Sequence, residues 1–271
     1  MDTTTREDGP GASTATDLFY RELFADPLLQ TFYGDSGYTN LGYWDETTPN
    51  AAAAGDRLVD TLLELIPTSA PTCGIHATVL DVACGFGGTT RRLARYFGPA
   101  AVTSVGISQE QLDETRRRAP GCTIVRMNAT DLQFPDASFD LVCCVEAAFH
   151  FHTRERFLAE ACRVLKPGGY LVLTDLLMAA GTPLVPPENH LPNARAYEAL
   201  LQTSGFQDIV VVDVTQQTWR AFRRRLTSFL LESSARYASL MGMRDLLAVN
   251  MTWAWAIRAS LLAAGRRPET R

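Results

Sequence analysis

The stretch Val79 to Thr90, VLDVACGFGGTT, constrains this chain more than any other. Val79, Leu80 and Val82 read as a buried strand, three glycines follow at 85, 87 and 88, and the run RRLARYFG then has helical periodicity. A strand, a tight glycine turn and a helix let backbone approach a bound ligand, because glycine makes the turn and leaves no side chain in the way. Asp81 sits inside the apolar run, and a carboxylate there is costly to bury without a partner. A cationic group on a ligand, such as an amino acid's ammonium, is a suitable one. The spacing disfavours a dinucleotide fingerprint, whose third glycine would stand where Thr90 does. Taken alone, the motif also allows a glycine turn with no ligand.

From Val79 onward, apolar runs at 79–84, 101–107, 122–127, 139–145, 169–175 and 206–212 alternate with helical or capped segments. That order predicts an α/β fold, a mostly parallel sheet with helices on both faces, and the tail 258–267 can supply a seventh strand. Upstream, Thr48 and Pro49 are expected to open a helix whose apolar face is Leu58, Leu62, Leu65 and Ile66. Thr153 and Asn193 read as helix caps, Gly205 as a helix end, and Lys166-Pro167-Gly168-Gly169 as the turn into YLVLTD. Trp219, Phe222, Leu226, Phe229 and Leu230 mark one face of a long helix. The expected organisation is a disordered, polar and glycine-rich 1–16, a helical and aromatic cap over 17–76, and a core over 77–271. Inserts at 178–195 and 214–257 are expected to cover the substrate.

At 271 residues the chain can bury a full α/β core with a cap. A net charge of −5 argues against nucleic acid as a partner. Leu246 to Ile257, interrupted by Asn250 and Thr252, is too short for a membrane span. The six cysteines lack the paired spacing of a zinc site, and Cys143 and Cys144 suit small apolar fillers of a buried strand. With no secretory leader, the expectation is a reduced, cytoplasmic monomer or homodimer without a metal site.

In an open α/β sheet, ligands bind beyond the carboxyl ends of the strands, where strand order reverses. After the second strand, a ribose site usually carries a carboxylate; here Gly106 stands at that place, followed by Ser108 and Gln109. Ser108 and Gln109 can hold ribose hydroxyls, or Ser108 can simply cap the next helix. After the third strand, the Asn128 side-chain oxygen and the Ala129 N–H can meet adenine. The fourth strand ends in Glu146-Ala147-Ala148-Phe149-His150-Phe151-His152, and its expected neighbour ends in Thr174-Asp175. If both strands end at one rim, Asp175 can orient His150 and make it a competent base near neutral pH.

DVACGFGG, NATDLQFPDASFD, EAAFHF and VLKPGGYLVLTD, in this order and spacing, resemble the motifs of the class I S-adenosylmethionine-dependent methyltransferases. The similarity covers roughly 77–213 and is greatest to the subgroup acting on small molecules in natural-product pathways. The resemblance implies a Rossmann-like sheet, S-adenosylmethionine as cofactor and S-adenosylhomocysteine as its product. It also implies that the segment NLGYW at 40–44 folds over the cofactor. The cofactor set is then Tyr33, Trp44, Asp81, Ala83, Gly85, Gly87, Ser108, Gln109, Asn128 and Ala129. His150 and Asp175 match the subgroup's base pair. Two positions depart from the pattern: Gly106 lacks the ribose carboxylate, and Asn128 replaces the adenine-contacting aspartate.

The expected reaction is methyl transfer to a hydroxyl of a hydrophobic small molecule, with His150, Asp175 and Glu146 catalytic and Phe149, Phe151 and Trp219 at the acceptor. In N- or C-methylation, His150 and Glu146 would stabilise charge instead. A non-methylating cyclase or scaffold that keeps the cofactor is a further alternative. The run Arg223-Arg224-Arg225 is a solvated face, or it meets an acidic substrate or a diphosphate.

Overall fold

The computed structural model describes residues 18, 21–23, 25–68, 70, 77–183, 185–234 and 253–269. The expected disordered segment 1–16 and part of the first cap helix lie outside the described residues. Strands β1 (Val79–Val82), β2 (Val102–Gly106), β3 (Thr123–Arg126), β4 (Phe139–Val145), β5 (Leu165–Met178), β6 (Gln207–Asp213) and β7 (Ile257–Arg266) form one sheet. Its order is β3-β2-β1-β4-β5-β7-β6. All neighbouring pairs are parallel except those of β7, which runs antiparallel to both β5 and β6. β1 pairs with β2 on one side and β4 on the other, so strand order reverses between β1 and β4.

Helices α1 (Pro27–Tyr33), α2 (Ala51–Leu63), α3 (Gly88–Phe97), α4 (Gln109–Arg118), α5 (Arg154–Val164), α6 (Ala194–Thr203) and α7 (Ala221–Ser234) cover the sheet. Successive strand residues alternate faces. Val79, Leu141, Cys143 and Val172 therefore join α2 and α3 in one core layer, while Leu80, Val142, Cys144 and Leu171 join α5 and α6 in the other. The adjacent thiols of Cys143 and Cys144 are free, buried and on opposite faces, as fillers should be.

Thr153 and Asn193 cap α5 and α6 through their side chains, and Gly205 takes φ 96° after α6. Several boundaries differ from expectation. α2 starts two residues later, capped by Asn50, whose side chain accepts from Ala53 N, and it ends at Leu63, before Leu65 and Ile66. Thr48 instead exchanges hydrogen bonds with the backbone of Asp45. The Lys-Pro-Gly-Gly segment does not precede β5 but lies within it. Phe139 pairs with Leu165 and Leu141 with Tyr170, so 166–169 bulges out and the ladder resumes.

The cap docks on the core through Tyr38. Its hydroxyl donates to Asp56 Oδ1 at 2.6 Å, and its ring lies between Gly55 of α2 and Gly88 of α3. A Cβ on Gly88 would approach the ring to 2.6 Å, and one on Gly55 would collide with it. Arg92 pairs with Asp60 at 2.6 Å beside this contact. Gly55→Ala should therefore cost about 1–3 kcal/mol and lower the Tm by roughly 3–10 °C. An unchanged thermal melt would show that Tyr38 is not the wedge between cap and core.

Candidate active site

The glycine turn after β1 is built from left-handed backbone: Ala83 has φ 59°, Gly85 54° and Gly87 90°. Its first two glycines do different work. A Cβ on Gly87 would lie 2.9 Å from Thr115 Cα, so Gly87 packs on α4. One on Gly85 would meet only Thr39 Oγ1, at 3.8 Å, so the turn leaves open space there. Asp81 is 1 % exposed, and its carboxylate accepts from the Thr90 hydroxyl at 2.6 Å. Thr90 in turn accepts from Ser104 Oγ at 3.1 Å. Burial pushes Asp81 up to about 7, with Thr90 only partly opposing it. The residue that breaks the dinucleotide pattern thus supports the buried acid, and a cation placed beside it would restore its charge.

The loop 37–45, containing NLGYW, is pinned at four places. Gly37 O accepts from Gly88 N at 3.1 Å, Leu41 N donates to Glu146 Oε2 at 2.9 Å, Tyr43 N to Ala54 O at 2.8 Å, and Trp44 N to Gln217 O at 2.8 Å. Tyr33 and Trp44 are both buried, and their polar atoms serve the loop. Tyr33 donates to Asn40 O, and Trp44 Nε1 donates to Leu41 O. Both bonds hold the backbone of the loop. Glu146, just after β4, has φ 48°, and its Oε1 is buried with no hydrogen-bond partner among the described residues. Burial, and secondarily the charge of Asp175, raises Glu146 to about 8 against the hydrogen bond from Leu41.

His150 ends the short turn Ala148–His150, one strand from Asp175. The carboxylate of Asp175 is fully buried. Its Oδ1 accepts from Phe149 N at 3.1 Å and Leu176 N at 2.8 Å. Its Oδ2 accepts from Arg154 Nε at 2.6 Å and the Tyr197 hydroxyl at 2.9 Å. These four donors fill the acceptor positions of a carboxylate. Asp175 therefore does not orient the imidazole through its own oxygens, as the sequence suggested, but holds the backbone of the turn that carries it. Arg154, 2 % exposed, also donates to Leu176 O and Asn189 O. Asn189, from the insert, donates to Phe149 O and to Phe151 O at 2.7 Å, and its Oδ1 accepts from Arg154 N at 2.8 Å. Arg154, Asn189 and Tyr197 carry no local motif, so sequence reasoning missed them.

Beyond β2, Ser108 is buried at the start of α4 without a side-chain capping bond. Gln109 spends its amide on Asp113 at 2.9 Å, one turn along an exposed helix face. Ile107, just before them, is 44 % exposed, an apolar rim residue. Beyond β3, Asn128 Oδ1 accepts from Thr130 N and Oγ1, both at 3.0 Å. This turn occupies the oxygen assigned to adenine, which leaves the Ala129 N–H and the Asn128 amide as candidate donors. Phe149 is 1 % exposed and packs in the core, so it supports His150 from beneath and does not line an acceptor pocket. Phe151 meets Phe157 edge-on at 5.1 Å. Trp219 is buried but borders a cavity of about 770 Å³ beside α7. Among the described residues, no group of three or more His, Cys, Asp or Glu could hold a metal ion, and no helix is long and apolar enough to cross a membrane.

Glu146 supplies a pH test. In the folded chain it holds its proton up to about 8, against 4.5 for an ordinary glutamate. Between these values the folded state binds a proton that the unfolded state has released, so stability falls as pH rises through that window. Glu146→Gln should flatten the fall by at most about 1.4 kcal/mol per pH unit. Urea unfolding at several pH values from 5 to 8 checks this; identical slopes in both proteins would place the carboxyl in water.

A methyltransferase domain family model matches residues 80–173. The chain is 30% identical to methyltransferase GfsG of Streptomyces halstedii, over 78% of this chain and 82% of that protein. It is 33% identical to O-methyltransferase cnsE of Penicillium expansum, over 76% of this chain and 78% of that one. The crystal structure of the (4+2)-cyclase SpnF shares the fold with a TM-score of 0.69 at 24% identity, covering 95% of this chain and 97% of the cyclase. With its switch-point glycine turn, its buried acids that have no cationic partner among the described residues, and these relatives, the chain belongs to the class I S-adenosylmethionine-dependent methyltransferases.

Proposed function

We propose that the protein methylates a hydroxyl of a hydrophobic small molecule of natural-product biosynthesis, with His150 as general base. The observation that carries this reading is the clamping of the His150 turn. Asp175 holds Phe149 N, and Asn189 holds the carbonyls on either side of the imidazole-bearing residue, Phe149 O and Phe151 O. A base is useful only if it is held within hydrogen-bond reach of the proton it removes, and rigid backbone on both sides supplies that. The relatives support an oxygen acceptor, since one of them is named an O-methyltransferase.

The residues present fit the cofactor. The open space at Gly85 admits it against the turn, and Asp81 and the free oxygen of Glu146 suit its ammonium. Ser108 and the Ala129 N–H are the candidates for its nucleoside end. When bound, S-adenosylmethionine supplies a methyl carbon activated by the adjacent sulfonium. The chain's own work is to enclose, orient and deprotonate. Loop 37–45 excludes water from the glycine turn and from Glu146. His150 takes the proton of the acceptor hydroxyl as its oxygen attacks.

His150→Ala should lower kcat by roughly 10²–10⁴-fold and leave S-adenosylhomocysteine affinity within about twofold. Unchanged turnover would remove His150 from the mechanism, and a product without an added methyl would favour the cyclase alternative. The missing ribose acid gives a second test. A Cβ at Gly106 would sit 3.4 Å from Leu112 Cδ2 and 3.7 Å from Cys84 Sγ, both ordinary contacts. Gly106→Asp should thus be tolerated and should tighten S-adenosylhomocysteine binding by roughly tenfold, the worth of charged hydrogen bonds to the ribose hydroxyls. No gain by calorimetry would mean that the hydroxyls lie elsewhere.

A further inference from the structure

The cavity of about 770 Å³ beside α7 has a composition unlike an apolar acceptor pocket. Arg220, Arg223, Arg224 and Arg258 line it, together with Trp219 and Thr215. Among the described residues no aspartate or glutamate does, in a chain whose net charge is −5. Among the described residues, Arg220, Arg224 and Arg258 have no carboxylate partner. The Arg223 guanidinium lies 5.4 Å from the centroid of the Trp219 ring, which fixes its direction along the wall. The Thr227 and Ser228 hydroxyls add neutral donors. Several guanidinium groups around one concavity repel one another and focus positive potential into it, and an anion relieves that repulsion.

Its place in the fold gives the cavity a meaning. β6 runs parallel to β5, because both are antiparallel to β7. Thr215 and Trp219, just past β6, and Ile257 and Arg258, at the start of β7, therefore lie at the same rim as Asp175 and His150. With strands about 4.8 Å apart, the basic wall is roughly 10–15 Å along that rim from the end of β4. Trp219 and Arg220 belong to the wide turn Gln216–Arg220, whose Gln217 O accepts from Trp44 N of the loop over the glycine turn. The expanded helical turn re-aims these residues next to the site.

We infer that this groove binds an anionic end of the acceptor, a phosphate ester or a carboxylate, while the hydroxyl to be methylated reaches His150. The inference rests on the methyltransferase reading and adds an acceptor class to it. It also resolves the arginine run of the sequence. Arg223 and Arg224 face the groove, whereas Arg225 lies over the Trp44 ring at 5.5 Å.

Calorimetric titration of the full chain with inorganic pyrophosphate and with sodium decanoate tests it, with S-adenosylhomocysteine titrated in parallel. At least one anion should bind, and more weakly as salt rises. The double variant Arg220→Gln, Arg224→Gln and the single variant Arg258→Gln, from the opposite wall, should each weaken that binding by roughly tenfold. Arg156→Gln, exposed on α5, should not. Preference for pyrophosphate assigns a phosphate ester, and preference for decanoate a carboxylate. If neither anion binds while S-adenosylhomocysteine does, or if Arg156→Gln loses as much as the groove variants, the groove assignment is overturned and the methyltransferase reading stands. If S-adenosylhomocysteine fails to bind the unaltered chain, that reading itself fails.

Discussion

The buried pair of Arg154 with Asp175 is the interaction from which the candidate catalytic side of the molecule is hung. Both side chains are almost wholly removed from water, at 2 % and 0 % exposure. A charge pair in that setting is tolerated only when its remaining hydrogen-bonding positions are satisfied. Here that requirement organises the neighbourhood. Satisfying Asp175 draws in Phe149 N, Leu176 N and the Tyr197 hydroxyl, and satisfying Arg154 draws in Leu176 O and Asn189 O. The end of β5, the start of α5, the insert and α6 are thereby joined at one point. His150 is held by consequence, through the backbone on either side of it.

The acids at the switch point follow the opposite rule, and the contrast is informative. Where the fold buries a structural carboxylate it supplies a cation. Asp175 has Arg154, and Asp140 has Lys166 at 2.7 Å, which with Thr78 holds its carboxyl below the usual range despite burial. Among the described residues, Asp81 and Glu146, at the paired strands β1 and β4, receive only neutral donors, Thr90 and Leu41 N, and burial raises both. A chain with cations to spare elsewhere leaves these two without one, which is the arrangement expected where the cation arrives with the ligand.

Much of this was legible in the sequence, and for a physical reason. Strand identity depends on local hydrophobic runs, so all seven strands and the glycine turn were marked by residues close together in the chain. The caps Thr153 and Asn193 were equally local. What the sequence hid is long-range. Asn189 is 38 residues from Phe151, and Leu41 is 105 from Glu146. No periodicity records such contacts. The same blindness explains the errors. Asp175 was paired with the nearest plausible titratable group, because Arg154 looked like one more charge on a helix. Asn128 was given to adenine because the competing Thr130 bond is a matter of turn geometry. Phe149 looked like an acceptor contact because its inward rotation depends on Asp175 taking its N–H.

The loop over the glycine turn is fastened to the turn Gln216–Arg220, which also lines the basic groove, so the proposed acceptor and cofactor regions have a physical connection. Gln217 O holds Trp44 N, while Trp219 and Arg220 line the groove. An anion that fixes Arg220 reduces the freedom of the turn, and so of the loop fastened to it. A cofactor that fixes the loop acts back on the groove by the same amount, since coupling between two binding equilibria is reciprocal. The ordering entropy would then be shared between an acceptor seated in the groove and the cofactor. In a chain that lacks the usual ribose acid at Gly106, such sharing would let the acceptor supply part of the cofactor's hold.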